Sequence, residues 1–487
     1  MKKYLISIDQ STSASKVMLV DAEGIIVKRF SKRHHQYYDQ PGWAEHDTEE
    51  IFLNVCEGIR NVTEGIDSGE IAALAISNQR ETTAFWDRST GKSVRRAIVW
   101  QDVRAAGLCR ELSAHGDLVK ARTGLTLSPY YPAAKAAHAL KSDEALMKRA
   151  ANGEICIGTI DSFLIYRLTG GRRFSTDVSN ASRTQLFDIR RLCFDKELCE
   201  LFGIPFACLA EPIPSDGDFG VTAASGIPAG IPITGVLGDS HASLFGHGCV
   251  KEGMVKTSYG TGSSVMLNTG ETPCESGRGL SASIAYGWQG RTDYVLEGNI
   301  THSGDTLVWL CDKAEMASDP AEVEKLASSV PDTDGVYLVP AFSGMGAPYF
   351  DESARAAFIG MNRSTTRAHM VRAALESMAY QNADVIFAMA ELARRNVQVL
   401  HADGGGCKNE LLMRLQADLL GCEVKASDES ELSALGAAYM AGFKTGLFTP
   451  QTVKRGCPRS YLPQSDENRR AALMHSWRGA VQRILHQ

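Results

Sequence analysis

The sequence lacks the features of membrane, secreted and nucleic-acid-binding proteins. It has no run of about 18 apolar residues, the length that a membrane-spanning helix needs. The apolar run of the N-terminal stretch MKKYLISIDQ ends at Asp9, so this stretch lacks the apolar core of a signal peptide. Lysine and arginine form no long basic run, and the formal net charge is −6. We therefore expect a cytoplasmic protein with neither nucleic acid nor membrane as a partner.

No two cysteines are spaced as C-x-x-C, although the sequence contains 12 of them. Thiols scattered in this way through 487 residues are typical of buried, reduced side chains. The pattern therefore argues against a disulfide framework and against a zinc–thiolate site.

Two common nucleotide-binding motifs are also missing. The GKS sequence at 91–93 would complete a Walker A loop only with a glycine at position 86, where the chain has Trp86. GTGSSV and GGGCKN each lack the last glycine of the dinucleotide fingerprint. Neither a P-loop enzyme nor a dinucleotide-binding enzyme is predicted.

The N-terminal part of the chain alternates predicted strands with a helix. YLISID, KVMLVD and GIIVKRF predict three strands, and IAALAIS predicts a strand buried on both faces. Between them, Asp47 and Glu50 predict a capping box, and apolar residues at helical spacing follow over 51–62. This alternation predicts an α/β fold on a mixed sheet.

An internal echo predicts two similar domains. ISIDQSTSASKVMLV near the start resembles KTSYGTGSSVMLN at 256–268, and each predicts a hairpin with a turn of small residues. Two hairpins that face each other across a cleft would surround one anion with backbone N–H groups. The chain is too long for one core, and we expect domains at 1–247 and 248–487.

Three segments carry candidate binding residues. DQSTSAS places Asp9 at a strand end before a turn, which suits Mg²⁺ and phosphate, or else the aspartate only caps its own turn. Arg80 and Glu81 pair a donor with an acceptor and suit a polyol, or else form an ordinary surface ion pair. The DGGG turn at 403–406 admits a flat or anionic ligand, or else is a simple tight turn.

The stretch ITGVLGDSHASLFGHG at 233–248 places a carboxylate beside a Ser-His pair. A Ser–His nucleophile, a metal site and a lone base for a substrate hydroxyl are the alternatives. Adjacent side chains point to opposite faces of a strand and lie about 100° apart on a helix, so Ser240 and His241 are poorly placed to act together. We expect His241 to be a packed structural residue.

Several longer motifs occur together in one family. In chain order they are PGWAEHD (41–47), NQRETT (78–83), AIVWQD (97–102), STDVSNASRTQLFDI (175–189), YGTG (259–262), VPAFSGMGAPYFD (339–351), DGGG (403–406) and ALGAAYMAG (434–442). On these motifs the sequence resembles the FGGY carbohydrate kinases over essentially its whole length, most closely their glycerol kinase branch. The resemblance implies an α/β fold of two actin-like (ribonuclease-H-like) ATPase domains with the active-site cleft between them. It also implies ATP, Mg²⁺, a small polyol or sugar, and a dimer or tetramer.

The resemblance assigns roles to individual residues. It implies that Asp239 is the general base that takes the proton of the attacking hydroxyl, and that Asp9 and Asp239 lie at the Mg²⁺. The binding residues that it implies are Ser11, Thr12, Ser13, Gly260, Thr261 and Gly262 for phosphate, Gly404, Gly405 and Asn409 for adenosine, and Arg80, Glu81, Trp100 and Tyr130 for the polyol.

The departures from the glycerol kinase branch concern the substrate pocket. Ser240 stands in place of a glutamine and Ser264 in place of a phenylalanine, while Ser11 and His138 replace a glycine and a tryptophan. The serines at 240 and 264 remove volume and apolar wall and add hydroxyls. We therefore expect these two residues to contact the substrate, and a pentulose or tetritol kinase is the alternative to a glycerol kinase. The loop AASGIPAGIP has no basic residue, which predicts no control by fructose 1,6-bisphosphate.

Two other classes of protein compete with a kinase. An actin- or chaperone-like ATPase would use the same domains to bind a protein partner and would need no substrate carboxylate. A non-catalytic sugar-binding homologue is suggested by Ser11 and Ser264. The presence of Asp239, Arg80 and Glu81 favours the kinase.

Overall fold

The computed structural model describes residues 1–449 and 458–485. Its strands, in chain order, are β1 (Tyr4–Gln10), β2 (Ala14–Asp21), β3 (Ile26–Arg33), β4 (Gln36–Tyr37), β5 (Glu45–His46), β6 (Ile71–Asn78), β7 (Ala84–Asp87), β8 (Ala97–Ile98), β9 (Ile155–Gly158), β10 (Ser175–Asp177), β11 (Phe187–Asp188), β12 (Cys193–Phe194), β13 (Glu211–Ile213), β14 (Ile233–Gly238), β15 (Met254–Tyr259), β16 (Ser263–Gly270), β17 (Ser281–Trp288), β18 (Arg291–Ile300), β19 (Tyr337–Val339), β20 (Ala357–Ile359), β21 (Val399–Gly404), β22 (Glu423–Ala426) and β23 (Arg459–Tyr461).

The helices connect these strands and cover the two large sheets. They are α1 (Thr48–Thr63), α2 (Ala106–Glu111), α3 (Gly116–Thr123), α4 (Pro132–Ser142), α5 (Glu144–Ala151), α6 (Ile160–Leu168), α7 (Val178–Ala181), α8 (Lys196–Phe202), α9 (Asp239–Gly246), α10 (Gly304–Asp312), α11 (Pro320–Ser328), α12 (Arg367–Ala393), α13 (Glu410–Leu420), α14 (Leu432–Thr445) and α15 (Glu467–Gln482).

The first large sheet has the strand order β14-β6-β1-β2-β3. β1 and β2 form the predicted antiparallel hairpin, with residues 11–13 as its turn, and β6 runs parallel to β1. Helix α1 packs against β1, β2 and β3, while α14 packs against β6, β1 and β14. Because helices cover the sheet, β6 is buried along its whole length, as its continuous apolar run predicted.

The second large sheet repeats this arrangement within the order β17-β18-β16-β15-β21-β22-β23. β15 and β16 form an antiparallel hairpin with residues 260–262 as its turn, and β21 runs parallel to β15. β22 then follows β21 in parallel, as β14 follows β6 in the first sheet. The internal echo therefore marks two sheets of the same topology, and the predicted α/β fold is confirmed.

Helix α14 connects the two halves of the molecule. It is part of the second half of the chain, yet it packs against the first sheet and against α9. The Ser7 hydroxyl of β1 donates to the carbonyl oxygen of Ala434 at 2.6 Å. A Cβ on Gly436 would lie 1.8 Å from the Ala242 carbonyl oxygen, so only glycine permits the two helices to cross this closely.

Two local expectations have different outcomes. Asp47 caps α1 as predicted, with its side chain accepting from the backbone N–H of Glu49. The reciprocal half of the capping box is wrong, because the Glu50 carboxylate instead accepts from the backbone N–H of His35 at 3.0 Å. His35 lies in the short connection between β3 and β4, so the local sequence of α1 does not reveal this donor.

Two predictions from composition concern the cysteines and membrane-spanning helices. The cysteines that the structure describes are free thiols, and Cys457 lies outside the described residues. Within residues 1–449 and 458–485, no helix is both long enough and apolar enough to cross a bilayer.

Candidate active site

A cleft of about 500 Å³ opens where the ends of strands from both sheets approach each other. The predicted site residues that line it are Thr12, Arg80, Glu81, Trp100, Tyr130, Asp239, Ser240, Gly260, Gly262 and Ser264. Ser258, Asn299 and Thr301 also line it, although the sequence did not single them out. The structure therefore brings most of the predicted polyol and phosphate residues into one cavity.

Asp239 lies where β14 runs directly into α9. Its side chain is 37% exposed, and its Oδ1 lies 3.2 Å from Nε of Arg80. The backbone N–H of Ser240 donates to the same oxygen at 2.6 Å. Gly238 permits this approach, because a Cβ there would lie 2.7 Å from Cγ of Arg80. The junction of β14 and α9 thus places the Asp239 carboxylate in the cleft.

A buried network of charges supports the cleft from below. Arg80 donates through both terminal nitrogens to Glu297, at 2.9 and 2.7 Å. Arg183 donates to Glu81 at 2.6 Å and pairs with Glu297 at 2.9 Å. Burial by itself would raise the pKa of Glu297, but the guanidinium groups of Arg183 and Arg80 hold it well below its usual range.

Arg80 and Glu81 therefore do not form the surface ion pair with each other that was the alternative to a polyol site. Each is bound by an opposite charge from elsewhere in the chain, and both still reach the cleft wall. Sequence reasoning missed Arg183 and Glu297. Arg183 lies inside one of the family motifs, and Glu297 is a lone charge within the apolar strand YVLEGNI, which was a usable signal.

Trp100 and Tyr130 form an aromatic part of the cleft wall. Their rings meet edge to face, with centroids 5.7 Å apart. The indole N–H of Trp100 donates to the Thr12 hydroxyl at 3.0 Å, which ties this wall to the first hairpin turn. Behind it, Lys135 donates to the carbonyl oxygen of Tyr130. Such a wall suits the C–H face of a small polar ligand.

The two hairpin turns contribute unequally to the cleft. Thr12, Gly260 and Gly262 line it, whereas Ser11, Ser13 and Thr261 line neither of the two cavities discussed here. The Ser11 hydroxyl donates to the Ala14 carbonyl oxygen at 3.0 Å and so closes its own turn.

Asp9 is buried at the end of β1, where the Ser77 hydroxyl donates to it at 3.1 Å. Burial raises the pKa of Asp9 to about 6 against the lowering effect of Lys16, and the charge of Asp239 adds to the rise. A buried carboxylate beside a second one is an environment in which a cation would be favourable.

A second cavity of about 340 Å³ adjoins the first, and both are lined by Asp239, Ser240 and Ser258. Gly404 and Gly405 of the DGGG turn line the second cavity, as does Lys408. Gly404 has φ +87°, and a Cβ there would lie 2.4 Å from the Tyr259 carbonyl oxygen, so a glycine is required. This turn therefore opens onto a real cavity.

The residues predicted from the resemblance do not all reach these cavities. Asn409 lines neither of the two; its side-chain oxygen accepts from the backbone N–H of Leu412 at 2.9 Å and caps α13. His241 is fully buried, with Nε2 3.3 Å from the Ser283 hydroxyl, which agrees with the expected packed residue. In the described part of the chain, no hydrogen bond joins the side chains of Ser240 and His241.

The sequence matches the N-terminal domain of the FGGY family of carbohydrate kinases over residues 4–246 and the C-terminal domain of the same family over 255–445. It is 44% identical to a glycerol kinase of Dechloromonas aromatica, over 99% of this chain and 98% of that one. It is also 44% identical to glycerol kinase 1 of Thermotoga maritima, over 99% of both chains.

The fold also matches a solved structure over almost the whole chain. A crystal structure of Plasmodium falciparum glycerol kinase with ADP superposes with a TM-score of 0.95 at 34% identity, covering 99% of this chain and 98% of that one. Full-length matches in both sequence and fold confirm the resemblance that the motifs indicated. The chain belongs to the FGGY family of carbohydrate kinases.

Proposed function

We propose that this protein transfers the γ-phosphoryl group of ATP to a hydroxyl of a small polyol, with Asp239 as the general base. The observation that carries this proposal is the position of Asp239, which lines both adjoining cavities. A base at this junction would lie beside the acceptor hydroxyl in the first cavity and would face a nucleotide that extends from there into the second. The glycerol kinases among the relatives support a polyol acceptor over a pentulose.

In the proposed reaction, Asp239 accepts the proton of the polyol hydroxyl. That oxygen forms a bond to the γ-phosphorus while the bond from this phosphorus to the β,γ-bridging oxygen breaks, and ADP leaves. Arg80, 3.2 Å from Asp239 and fixed by Glu297, would hold the carboxylate in position. Positioning and charge stabilisation are the main contributions of an enzyme to phosphoryl transfer.

We assign the polyol and the phosphates to the first cavity and the adenosine to the second. Trp100 and Tyr130 would cover the carbon chain of the polyol, with Arg80 and Glu81 near its hydroxyls. The turns around Thr12 and around 260–262, which line the same cavity, would hold the phosphates between the polyol and the second cavity. Gly404 and Gly405 would border the adenosine in the second cavity. Because the oxygen of Asn409 already caps α13, we propose its amide nitrogen as the group for a nucleotide contact.

Asp9 and Asp239 are the residues that would hold a Mg²⁺ ion. Magnesium typically binds one or two carboxylates together with phosphates and water. Within the described residues no group of three or more histidine, cysteine or acidic side chains is placed to hold a metal. When bound, the ion would neutralise part of the charge on the phosphates. We further propose a cytoplasmic dimer or tetramer, on the family resemblance alone.

An assay of ADP release with glycerol and longer polyols tests the proposal. We expect turnover that depends on the polyol and falls about 10²–10⁴-fold in Asp239→Asn, the usual effect of losing a general base. Asp117→Asn is the matched control, because Asp117 is an exposed carboxylate that lines neither cavity. ATP hydrolysis that is independent of polyol, or full activity in Asp239→Asn, would contradict the proposal.

A further inference from the structure

Three neighbouring strands of the second sheet place a row of small polar side chains on the cleft wall. In the register of these strands, Ser264 on β16 lies opposite Ser258 on β15 and opposite Asn299 on β18. Side chains directly opposite each other project from the same face of a sheet, with Cβ atoms about 4.5–5.5 Å apart. All three residues line the cavity that also contains Asp239.

Two members of this row have no hydrogen-bond partner within the part of the chain that the structure describes. The Ser264 hydroxyl oxygen is buried and unpaired, and no hydrogen bond involves the Asn299 side chain, which is exposed to the cleft. The neighbouring Ser263 differs, since its hydroxyl donates to the Ser303 hydroxyl at 2.8 Å. Buried polar groups in proteins are nearly always paired, and because Ser264 also lines the cleft, its hydroxyl is placed to pair with a ligand hydroxyl.

We infer that Ser264 and Asn299 bind a hydroxyl beyond the third carbon, so that the preferred substrate is a linear polyol of four or five carbons. The inference rests on the proposed function. A three-carbon polyol has one hydroxyl for Asp239 and two for the wall of Arg80 and Glu81, which leaves Ser264 and Asn299 unpaired. A longer polyol supplies the missing partner, and a site built around a hydroxyl discriminates strongly against a ligand that lacks it.

The test compares kcat/KM for glycerol, erythritol and xylitol in the wild type and in variants of the row. We expect the better of the two longer polyols to exceed glycerol by about tenfold or more, the effect of one hydrogen bond in a closed site. Asn299→Ala should lower the ratio of kcat/KM for the longer polyol to that for glycerol by about tenfold. Asn152→Ala, an exposed asparagine outside the cleft, is the control and should keep the wild-type ratio.

A second variant covers the case in which Asn299→Ala does not fold. Ser264→Phe fills the space beside the row and removes the hydroxyl, and it should reverse the preference toward glycerol. The inference is overturned if glycerol is the best substrate of the wild type, if a ketopentose exceeds every polyol, or if the ratio is unchanged in both variants. In those outcomes polyol turnover that Asp239→Asn abolishes would still uphold the proposed function, whereas turnover of no polyol by the wild type would remove both.

Discussion

Glu297 joins the two sheets of the molecule at the substrate cleft. It lies on β18 of the second sheet, and its carboxylate binds Arg80, which follows β6 of the first sheet. It also pairs with Arg183, so one buried carboxylate compensates two buried guanidinium groups. Because Arg80 in turn contacts Asp239, Glu297 is a positioning residue for the proposed base.

Replacing this carboxylate should be costly. Glu297→Gln keeps the shape of the side chain but leaves two buried cations without their shared partner, and we expect a loss of about 3–5 kcal/mol in the free energy of unfolding. Urea denaturation measures this loss. Glu410→Gln is the control, because it breaks an exposed pair with Arg414 and should cost about 0.5 kcal/mol or less. Equal effects of the two substitutions would show that the network does not stabilise the fold.

Lys135 should make stability depend on pH. Burial lowers the pKa of Lys135 to about 7 against the charges of Glu81 and Asp102, whereas an unfolded lysine titrates near its usual value of about 10.4. Between pH 7 and 10 the unfolded chain therefore binds one more proton than the folded chain. The contribution of Lys135 to stability thus rises with pH in that window, by up to about 1.4 kcal/mol per pH unit, and is constant below pH 7.

Lys135→Met measures this contribution. The difference in unfolding free energy between wild type and variant should increase from pH 7 to pH 9 and stay level between pH 6 and pH 7. Urea denaturation at each pH gives the difference directly, and other titrating groups cancel because both proteins carry them. A difference that does not change with pH would contradict the assigned titration.

The contact between helices α9 and α14 fixes the position of the proposed base. α9 begins at Asp239 and crosses α14 so closely that neither Gly436 nor Gly246 has room for a Cβ. A Cβ on Gly246 would lie 2.5 Å from the Leu432 carbonyl oxygen. A displacement of α9 therefore moves the proposed base. The small residues of ALGAAYMAG serve this close crossing.

Gly436→Ala should impair stability and activity together. The added methyl group forces the helices apart, which we expect to cost about 1–3 kcal/mol and to lower kcat/KM by up to about a hundredfold through displacement of Asp239. Gly479→Ala is the control, since a Cβ on this exposed glycine of α15 meets nothing within 4 Å. That control should stabilise the protein by about 0.5–1 kcal/mol. Activity retained in full by Gly436→Ala would show that α9 does not depend on this crossing.

Elements that depend on short stretches of sequence could be predicted. Contacts that depend on the pairing of distant strands could not. The hairpins at 11–13 and 260–262 and the helix capped by Asp47 follow from short patterns of turn and apolar residues. The local sequence singled out Asp239 as a carboxylate beside a Ser-His pair but left its role open, and the family resemblance supplied the expectation of a general base. Asn299 lines the cleft and Glu297 lies buried beneath it because β18 pairs with β16, and no pattern near them in the sequence indicates that pairing.

The whole molecule consists of two similar sheets that are joined on one side and open on the other. α14 packs on the first sheet, and at its start Glu431 pairs with Lys16 of β2 at 2.7 Å. The cavities lie between the two sheets, with Asp239 at their junction. The two cavities share Asp239, Ser240 and Ser258, and this shared lining is the basis for proposing direct transfer between two bound ligands.

Phosphorus NMR of the reaction products tests that central claim most directly. With ATP, Mg²⁺ and a polyol, the account predicts one phosphomonoester of the polyol for each ADP formed, with its phosphorus coupled to protons of the polyol carbon. After the same reaction time, the mixture with Asp239→Asn should contain about a hundredfold less of the phosphomonoester, or less still. Release of inorganic phosphate in place of the ester would show that water is the acceptor, and it would contradict the assignment of this cleft to polyol phosphorylation.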